Sequence, residues 1–342
     1  MNGGVAQRRT DGLQALSVAQ KQFFDGNGYL ILPGFFDAAR VAEAKAHIGD
    51  LWADRAPSNP LVVDYFGPPV RAYLRDTDAA VRDRPYKLND VHLCDKVFQN
   101  LSLDPRLVQV LRDVLGAQPM ACNTLLMERG SQQAAHFDTF YMPSPTPNMM
   151  CASWIALDPV TDANGPLFYY PKSHLIPPFR FSSGGLHAIG AEMADAKRHM
   201  AQIIAEHGLQ EERFYPQPGD VLIWHAQLLH GGSPITDLEQ TRTSLVTHYW
   251  TTLDFPDPAG WVVLGPGRIL QRRGHQHVAG GNDTAEVDAF VAALRTPRKY
   301  CDSAPPDFDP RGYLLRNMDV FGNRADPYVH YALHGRAEGR GW

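Results

Sequence analysis

The sequence predicts a mainly β fold with flanking helices, on three observations. Short apolar segments between residues 117 and 253 are separated by turn sequences, which is typical of a barrel or sandwich. The 27 prolines and 29 glycines, spread along the chain, indicate many short elements. Helix-capping sequences cluster before and after this region, so we expect the helices outside the β core.

The N-terminal region contains helix and strand signals in turn. Residues 1–17 have little apolar content and are expected to be mobile. Capping side chains, and Gly or Pro at the ends, predict three helices: 18–25 capped by Ser17, 38–52 capped by Asp37, and 106–115 between Asp104-Pro105 and Gly116. A strand is predicted over 29–32. Residues 54–85 are expected to be irregular, as either a solvated loop or a mobile flap.

The central region reads as a series of strands with one long insertion. Strands are predicted over 120–127, 134–138, 150–157, 166–170, 221–224 and 243–251. The insertion, 175–214, is expected to contain a helix over 191–207. We therefore place the main domain at residues 18–255.

The C-terminal region changes character. Residues 256–285 resemble a loop and 285–294 a short helix, giving a linker over 256–302. Residues 303–342 are predicted to form a small helical appendage. Part of it resembles a short module attached to bacterial glycosyltransferases, which suggests a sugar- or lipid-linked substrate; the alternative is a packing tail that covers the barrel.

Composition excludes several classes of function. The net charge of −5 provides no basic surface for nucleic acid, and no segment is long and apolar enough to span a bilayer. The four cysteines are scattered, which favours reduced thiols and a cytoplasmic protein. The N-terminus does not resemble a signal peptide. The sequence leaves the oligomeric state open.

One short segment carries candidate metal ligands. His136 and Asp138 are two residues apart, so on a β-strand both side chains leave the same face. An imidazole and a carboxylate are two thirds of the facial triad that binds non-haem Fe(II) and leaves coordination positions open. His230, followed by Gly231-Gly232 where the backbone needs room, is the third candidate, with His225 as its competitor.

A candidate carboxylate anchor follows. Arg242 and Ser244 share one face of an extended strand, and a guanidinium with a hydroxyl suits a carboxylate co-substrate. The alternative is a strand-edge arginine in solvent.

In this order, these residues resemble the phytanoyl-CoA dioxygenase family of Fe(II)- and 2-oxoglutarate-dependent dioxygenases. The resemblance spans about residues 20–250, and several further blocks occur in the family's order: 28–37, 154–158, 164–167, 171–174, 219–231 and 242–249. One block departs from the family, which usually has Gly where Lys172 stands.

The resemblance implies a double-stranded β-helix, a jelly roll of the cupin type. It implies Fe(II) bound by His136, Asp138 and His230, with 2-oxoglutarate and O2 as co-substrates. Co-substrate contacts are expected from the following residues: Arg242, Ser244, Lys87, Asn123, Trp154 and Tyr141.

The implied activity is hydroxylation of a small organic metabolite. Asp138 favours hydroxylation over halogenation, because related halogenases lack this carboxylate; desaturation and epoxidation stay open. Two other classes remain as alternatives: a non-catalytic barrel that binds a ligand or glycan assembly, and a zinc-dependent hydrolase with the same ligands.

Overall fold

The computed structural model describes residues 13–56, 59–65, 70–254, 261–270, 283–317, 320, 325–336 and 340. The predicted mobile segment 1–17 lies mostly outside them. Within the described part, the backbone N–H groups of Gln14, Ala15 and Leu16 donate to the Asp113 carboxylate, so this end of the segment is tied to a helix instead of moving freely.

The N-terminal helices form where the capping residues predict them. They are α1 (Val18–Asn27), α2 (Ala38–Ala53), α3 (Lys96–Ser102) and α4 (Pro105–Leu115), of which α3 was not predicted. Ser17 and Gln20 form a reciprocal capping box at the start of α1. Gly28 ends α1 with a φ of +83°, and an added Cβ would lie 2.4 Å from the His174 ring, so glycine is required there twice over.

Thirteen strands are described: β1 (Tyr29–Leu32), β2 (Val62–Tyr65), β3 (Val70–Tyr73), β4 (Tyr86–Asn89), β5 (Pro119–Met127), β6 (Cys151–Ala156), β7 (Leu167–Tyr170), β8 (Glu212–Phe214), β9 (Val221–His225), β10 (Leu229–Gly232), β11 (Ser244–Thr251), β12 (Trp261–Leu264) and β13 (Gly267–Leu270). The large sheet has the order β1-β9-β6-β11-β5-β4-β2-β3, with β13 joined to β5 and β12 to β13. The small sheet has the order β10-β7-β8.

The two sheets pack face to face across an apolar layer. Trp154 and Trp224 of the large sheet meet Leu167 and Phe214 of the small sheet in one buried cluster. On the other face of the large sheet, helices α2 and α4 pack in a second, larger cluster. The predicted jelly roll with flanking helices is confirmed as an open sandwich of two sheets; the described strands do not close into a barrel.

Three predictions about local structure are wrong. Residues 134–138 are not a strand, since only His136 makes a single bridge there and residues 138–140 form a 3-10 turn. The irregular region 54–85 contains the hairpin β2–β3, and the loop predicted over 256–285 contains the hairpin β12–β13. Each missed strand is only four residues long, too short for a periodic apolar pattern to stand out.

The insertion forms the predicted helix, α5 (Met193–Glu206). Its buried side chains Ala196 and Met200, with Phe181, pack in a cluster against Phe137 and Phe140. The insertion therefore lies behind the turn that carries Asp138.

The C-terminal region is helical: α6 (Asp283–Ala293), α7 (Arg298–Cys301), α8 (Pro310–Arg316) and α9 (Pro327–His330). It has an apolar cluster of its own around Phe308, Tyr313 and Tyr331. The domain boundaries given above stay a prediction. Among the described residues, the structure contains no helix with the length and apolar character needed to cross a membrane.

Candidate active site

Two candidate ligands are brought together by backbone pairing. His136 and His230 exchange both backbone hydrogen bonds, at 2.9 and 3.1 Å, in an isolated antiparallel bridge. Residues paired in this way place their side chains next to each other. The ring centroids lie 4.4 Å apart, and both side chains are buried.

Asp138 joins the pair from the start of the 3-10 turn. Its Oδ1 lies 3.8 Å from His136 Nε2 and 3.6 Å from His230 Nε2. One ligand atom from each of the three residues lies within 4.8 Å of the others. The predicted group is therefore assembled, although by a bridge and a turn and not by one face of a strand.

A hydrogen bond at Nδ1 fixes the tautomer of each imidazole. The Nδ1 of His136 lies 2.8 Å from the Ala134 carbonyl oxygen, and the Nδ1 of His230 lies 2.9 Å from that of Leu228. A carbonyl only accepts, so each Nδ1 carries the hydrogen and each Nε2 presents a lone pair, the form that binds a metal.

The protonation states of His136 and Asp138 agree with this assignment. Burial, helped by the neighbouring His230, lowers the pKa of His136 to about 3, so its imidazole is neutral. Burial alone would raise the pKa of Asp138, but the imidazoles of His230 and His248 hold it well below its usual range, so the carboxylate is ionised. Neutral imidazoles and an anionic carboxylate are the ligand forms of these residues.

Arg242 and Ser244 present unused donors in the protein interior. The Arg242 guanidinium is 2% exposed, donates from Nη1 to the Gly165 carbonyl oxygen, and lies 5.5 Å from the Trp154 ring centroid. Burial lowers its pKa to about 10, so it stays charged. Among the described residues, its Nε and the Ser244 Oγ have no hydrogen-bond partner. A buried cation with unpartnered donors favours an acceptor at this place, and a carboxylate has suitable acceptor oxygens.

Most of the predicted co-substrate residues line a single cavity of about 330 Å³ with the candidate ligands. They are Lys87, Asn123, Tyr141, Trp154 and Arg242. Ser244 is fully buried beside it, on the strand face whose next residues, Val246 and His248, do line the cavity.

Gln133 links Lys87 to Tyr141 by two hydrogen bonds. Lys87 Nζ donates to Gln133 Oε1 at 3.2 Å, and the Gln133 amide donates to the Tyr141 hydroxyl at 3.1 Å. Burial lowers the pKa of Lys87, opposed by Asp64 and Asp138. Tyr141 is half exposed and packs edge-on against His136, so it lies at the cavity mouth.

Asn123 reaches the cavity but has both ends of its amide engaged. Its Nδ2 donates to Asp90 Oδ1 at 2.9 Å, and its Oδ1 lies 3.1 Å from His248 Nδ1. Because Asp90 can only accept, the amide orientation is fixed and His248 Nδ1 carries the hydrogen. The other ring nitrogen of His248, Nε2, faces Asp138 Oδ1 at 3.6 Å.

Sequence reasoning missed two residues that contact Asp138. Trp224 donates from its indole nitrogen to Asp138 Oδ2 at 2.8 Å, and His248 faces Oδ1. The alternation along β11 placed His248 on the face of Arg242, which was the available signal; nothing in the local sequence pointed from Trp224 to Asp138. The competing ligand candidate, His225, stacks near His174 and lies outside the three-residue group.

A family model agrees with this architecture. The model described as phytanoyl-CoA dioxygenase (PhyH) matches residues 24–239, which include both candidate histidines and Asp138. Arg242 and Ser244 lie just beyond the matched range.

Two curated relatives are both named as dioxygenases. The chain is 24% identical over 262 residues to a probable phytanoyl-CoA dioxygenase of Caenorhabditis elegans, covering 72% of this chain and 78% of the relative. It is 25% identical over 248 residues to an ectoine dioxygenase of Sphingopyxis alaskensis, covering 68% of this chain and 75% of the relative.

Solved structures show the same fold. The carbocyclase SnoK from nogalamycin biosynthesis, described as non-heme and alpha-ketoglutarate dependent, has a TM-score of 0.54 at 16% identity, covering 69% of this chain and 85% of SnoK. EctD from S. alaskensis with bound Fe has a TM-score of 0.53 at 19% identity, covering 72% of this chain and 80% of EctD. The extent of the family match, together with the jelly roll, establishes that the chain belongs to the phytanoyl-CoA dioxygenase family of iron- and 2-oxoglutarate-dependent dioxygenases.

Proposed function

We propose that this dioxygenase binds Fe(II) through His136, Asp138 and His230, anchors 2-oxoglutarate on Arg242 and Ser244, and hydroxylates a small organic metabolite. The observation that carries the proposal is that two groups of residues lie at one cavity. Three ligand atoms lie within 4.8 Å of one another, and among the described residues Arg242 Nε and Ser244 Oγ have no hydrogen-bond partner.

The residues present fit both groups. Two neutral imidazoles and a carboxylate on one side of an ion leave positions open, as non-haem iron oxygenases require. Bound iron and 2-oxoglutarate supply the oxidation: O2 and 2-oxoglutarate are consumed, succinate and CO2 are released, and a substrate C–H becomes C–OH.

The protein contributes binding, orientation and exclusion of water. The guanidinium of Arg242, which lies 5.5 Å from the Trp154 ring centroid, would hold the distal carboxylate, and the cation stays charged because its pKa remains near 10. The backbone bridge between His136 and His230 keeps two ligands in register before any ion binds.

The cavity supports a small substrate. Its volume of about 330 Å³ is at the lower end of the range for ligand pockets, roughly 300–1,000 Å³, and the co-substrate would take part of it. Charged and amide side chains line it together with apolar ones: Asp64, Arg71, Asn89 and Gln133 with Leu125, Met127 and Met142. The sugar- or lipid-linked substrate suggested by the C-terminal segment stays a prediction.

The presence of Asp138 supports hydroxylation over halogenation, because its carboxylate takes the coordination position that a halide needs.

We place the protein in the cytoplasm on its cysteine chemistry, since none of its four cysteines forms a disulfide with another. Fractionation of cells that express a tagged chain tests this placement.

Turnover tests the function. Purified protein with Fe(II) and ascorbate is expected to convert 2-oxoglutarate to succinate slowly without substrate, and faster with a substrate that gains one oxygen by mass. His136→Ala and Asp138→Ala should abolish succinate formation, whereas the matched control His225→Ala should retain it. Full turnover in the first two variants, or loss only in His225→Ala, contradicts the ligand assignment. Ligand binding without turnover in the wild type would favour the non-catalytic alternative.

A further inference from the structure

We propose that Trp224 is a positioning residue that makes Asp138 a ligand through one oxygen only. The proposal rests on the ligand set proposed above and adds a residue to it. The indole N–H of Trp224 takes one carboxylate oxygen and leaves the other for the metal ion.

The contact has a fixed direction. Trp224 Nε1 lies 2.8 Å from Asp138 Oδ2, and both residues are buried, at 2% and 4% exposure. An indole nitrogen donates and cannot accept, and an ionised carboxylate accepts and cannot donate. A hydrogen bond to a buried charged group is among the stronger ones, so the carboxylate plane is held.

The two oxygens of Asp138 therefore have different surroundings. Oδ1 faces the Nε2 atoms of His136, His230 and His248 at 3.8, 3.6 and 3.6 Å, whereas Oδ2 accepts from the indole. The Nε2 atoms of His136 and His230 present lone pairs, so Oδ1 lies next to two metal-binding atoms and Oδ2 is engaged by a hydrogen-bond donor. This asymmetry indicates ligation by Oδ1 alone.

One-oxygen ligation has a consequence for the reaction. Three ligand atoms leave three positions on a six-coordinate ion, enough for the two oxygens of a keto acid and for O2. A carboxylate that binds through both oxygens leaves two positions. By engaging Oδ2, the indole keeps the third position open.

The place of Trp224 on β9 makes the role specific. Its backbone is paired with β1 and β6, at Tyr29 and Ala152, so the ring cannot follow a carboxylate that turns. The ring centroid also lies 5.1 Å from that of His230. Trp224→Phe keeps an aromatic ring next to His230 and removes the donor together with part of the ring volume, a loss of volume that the control below shares.

Anaerobic titration with Co(II) tests the proposal without turnover. Trp224→Phe is expected to weaken Co(II) affinity about 10- to 100-fold, the usual effect of losing a hydrogen bond to a ligand, and to change the visible absorption of the bound ion. It should also weaken 2-oxoglutarate binding to the Co(II) form more than to the metal-free protein. Wild-type affinity with a wild-type spectrum would overturn the proposal.

Trp52→Phe is the matched control. Trp52 is a buried indole that donates to the Tyr86 hydroxyl at 3.0 Å, on a helix that is not part of the candidate group. Its replacement should lower the melting temperature and leave Co(II) affinity unchanged. If both variants weaken Co(II) binding equally, the effect is general destabilisation and the proposal is wrong.

The outcome is kept separate from the proposed function. If His136→Ala binds Co(II) as the wild type does, the ligand set is wrong. If His136→Ala loses Co(II) binding but Trp224→Phe keeps wild-type affinity and absorption, only this inference fails. Should Trp224→Phe not fold, the wild type labelled with ¹⁵N-tryptophan decides. The indole N–H signal most affected by Co(II) should remain protected from exchange when Zn(II) is bound; rapid exchange would contradict the hydrogen bond.

Discussion

Replacing Gly231 with Ala tests whether the spacing between the two candidate histidines is set by backbone contact. A Cβ at this position would lie 2.5 Å from the Phe168 ring and 2.8 Å from the Gln133 carbonyl oxygen. The ring can turn, but that carbonyl accepts the Gly232 N–H at 2.8 Å and is held by the backbone. Restoring ordinary contact at 3.4 Å needs a shift of 3.4 − 2.8 = 0.6 Å between the two segments.

This shift falls next to the bridge between His136 and His230. Overpacking of this kind costs about 1–3 kcal/mol of unfolding free energy. A displacement of this size also exceeds the roughly 0.5 Å tolerance of a preorganised site, so we expect Co(II) affinity to fall about tenfold. Thermal unfolding and anaerobic Co(II) titration measure the two effects.

Gly49→Ala is the matched control, because an added Cβ there meets nothing within 4 Å and the residue lies inside α2. It should raise stability by about 0.5–1 kcal/mol and leave metal binding unchanged. If Gly231→Ala keeps wild-type stability and Co(II) affinity, the claim that backbone contact sets the ligand spacing is refuted.

Three further predictions concern one residue that lines the cavity, Arg242, and two that do not, Lys172 and Asp158. Arg242→Lys should raise the KM for 2-oxoglutarate about tenfold or more, because an ammonium cannot replace the planar guanidinium; an unchanged KM in succinate assays argues against the anchor. Lys172→Gly should stabilise the protein by about 0.5–1 kcal/mol in denaturant unfolding, since Lys172 has a φ of +70°; a loss of stability would show that its side chain contributes more than the strain costs. Asp158 accepts from Lys45, Thr241 and Thr243, and although burial opposes this, these donors lower the pKa of Asp158. A lowered pKa adds stability above the unfolded-state pKa near 3.9, and this stability is lost as pH falls through the folded-state pKa. Asp158→Asn should therefore be less stable than the wild type by about 1–3 kcal/mol at pH 7, and the difference in unfolding free energy should close below about pH 4. A difference that stays constant down to pH 2 contradicts this.

The grouping of the candidate ligands could be predicted, because it depends on residue type and order. His136, Asp138, His230 and Arg242 are costly to bury without a partner, so their arrangement points to ligands whatever the local backbone does. Helices α1, α2 and α4 were also predictable, since their caps are local and are formed as the sequence indicates.

The parts that escaped prediction depend on contacts distant in sequence. The segment over 134–138 reads as a strand by alternation, yet its pairing partner is a single residue 94 positions away, His230, and a turn follows at once. The contact between Trp224 and Asp138 joins residues 86 positions apart. No local pattern encodes such a pair, because each residue is also an ordinary member of its own element.

The Lys172 departure from the family pattern has a structural reading. The position has left-handed backbone, which explains why the family usually has glycine. The next residue, Ser173, donates to the Tyr170 carbonyl oxygen and accepts the Leu229 N–H at 2.8 Å. This turn thus fixes the start of β10, one residue before His230, and its conformation is kept even with lysine.

The α5 insertion has a consequence for the redesign of this enzyme. It packs against Phe137 and Phe140, on either side of Asp138, and none of its residues lines the cavity. The mouth is formed elsewhere, in part by Asp64 and Arg71 on the β2–β3 hairpin. Under the proposed function, substrate contacts and the support of the metal ligands would therefore lie on separate segments of the chain. A library confined to the hairpin samples new substrates on an intact oxidising centre, whereas exchange of the insertion removes the scaffold behind that centre.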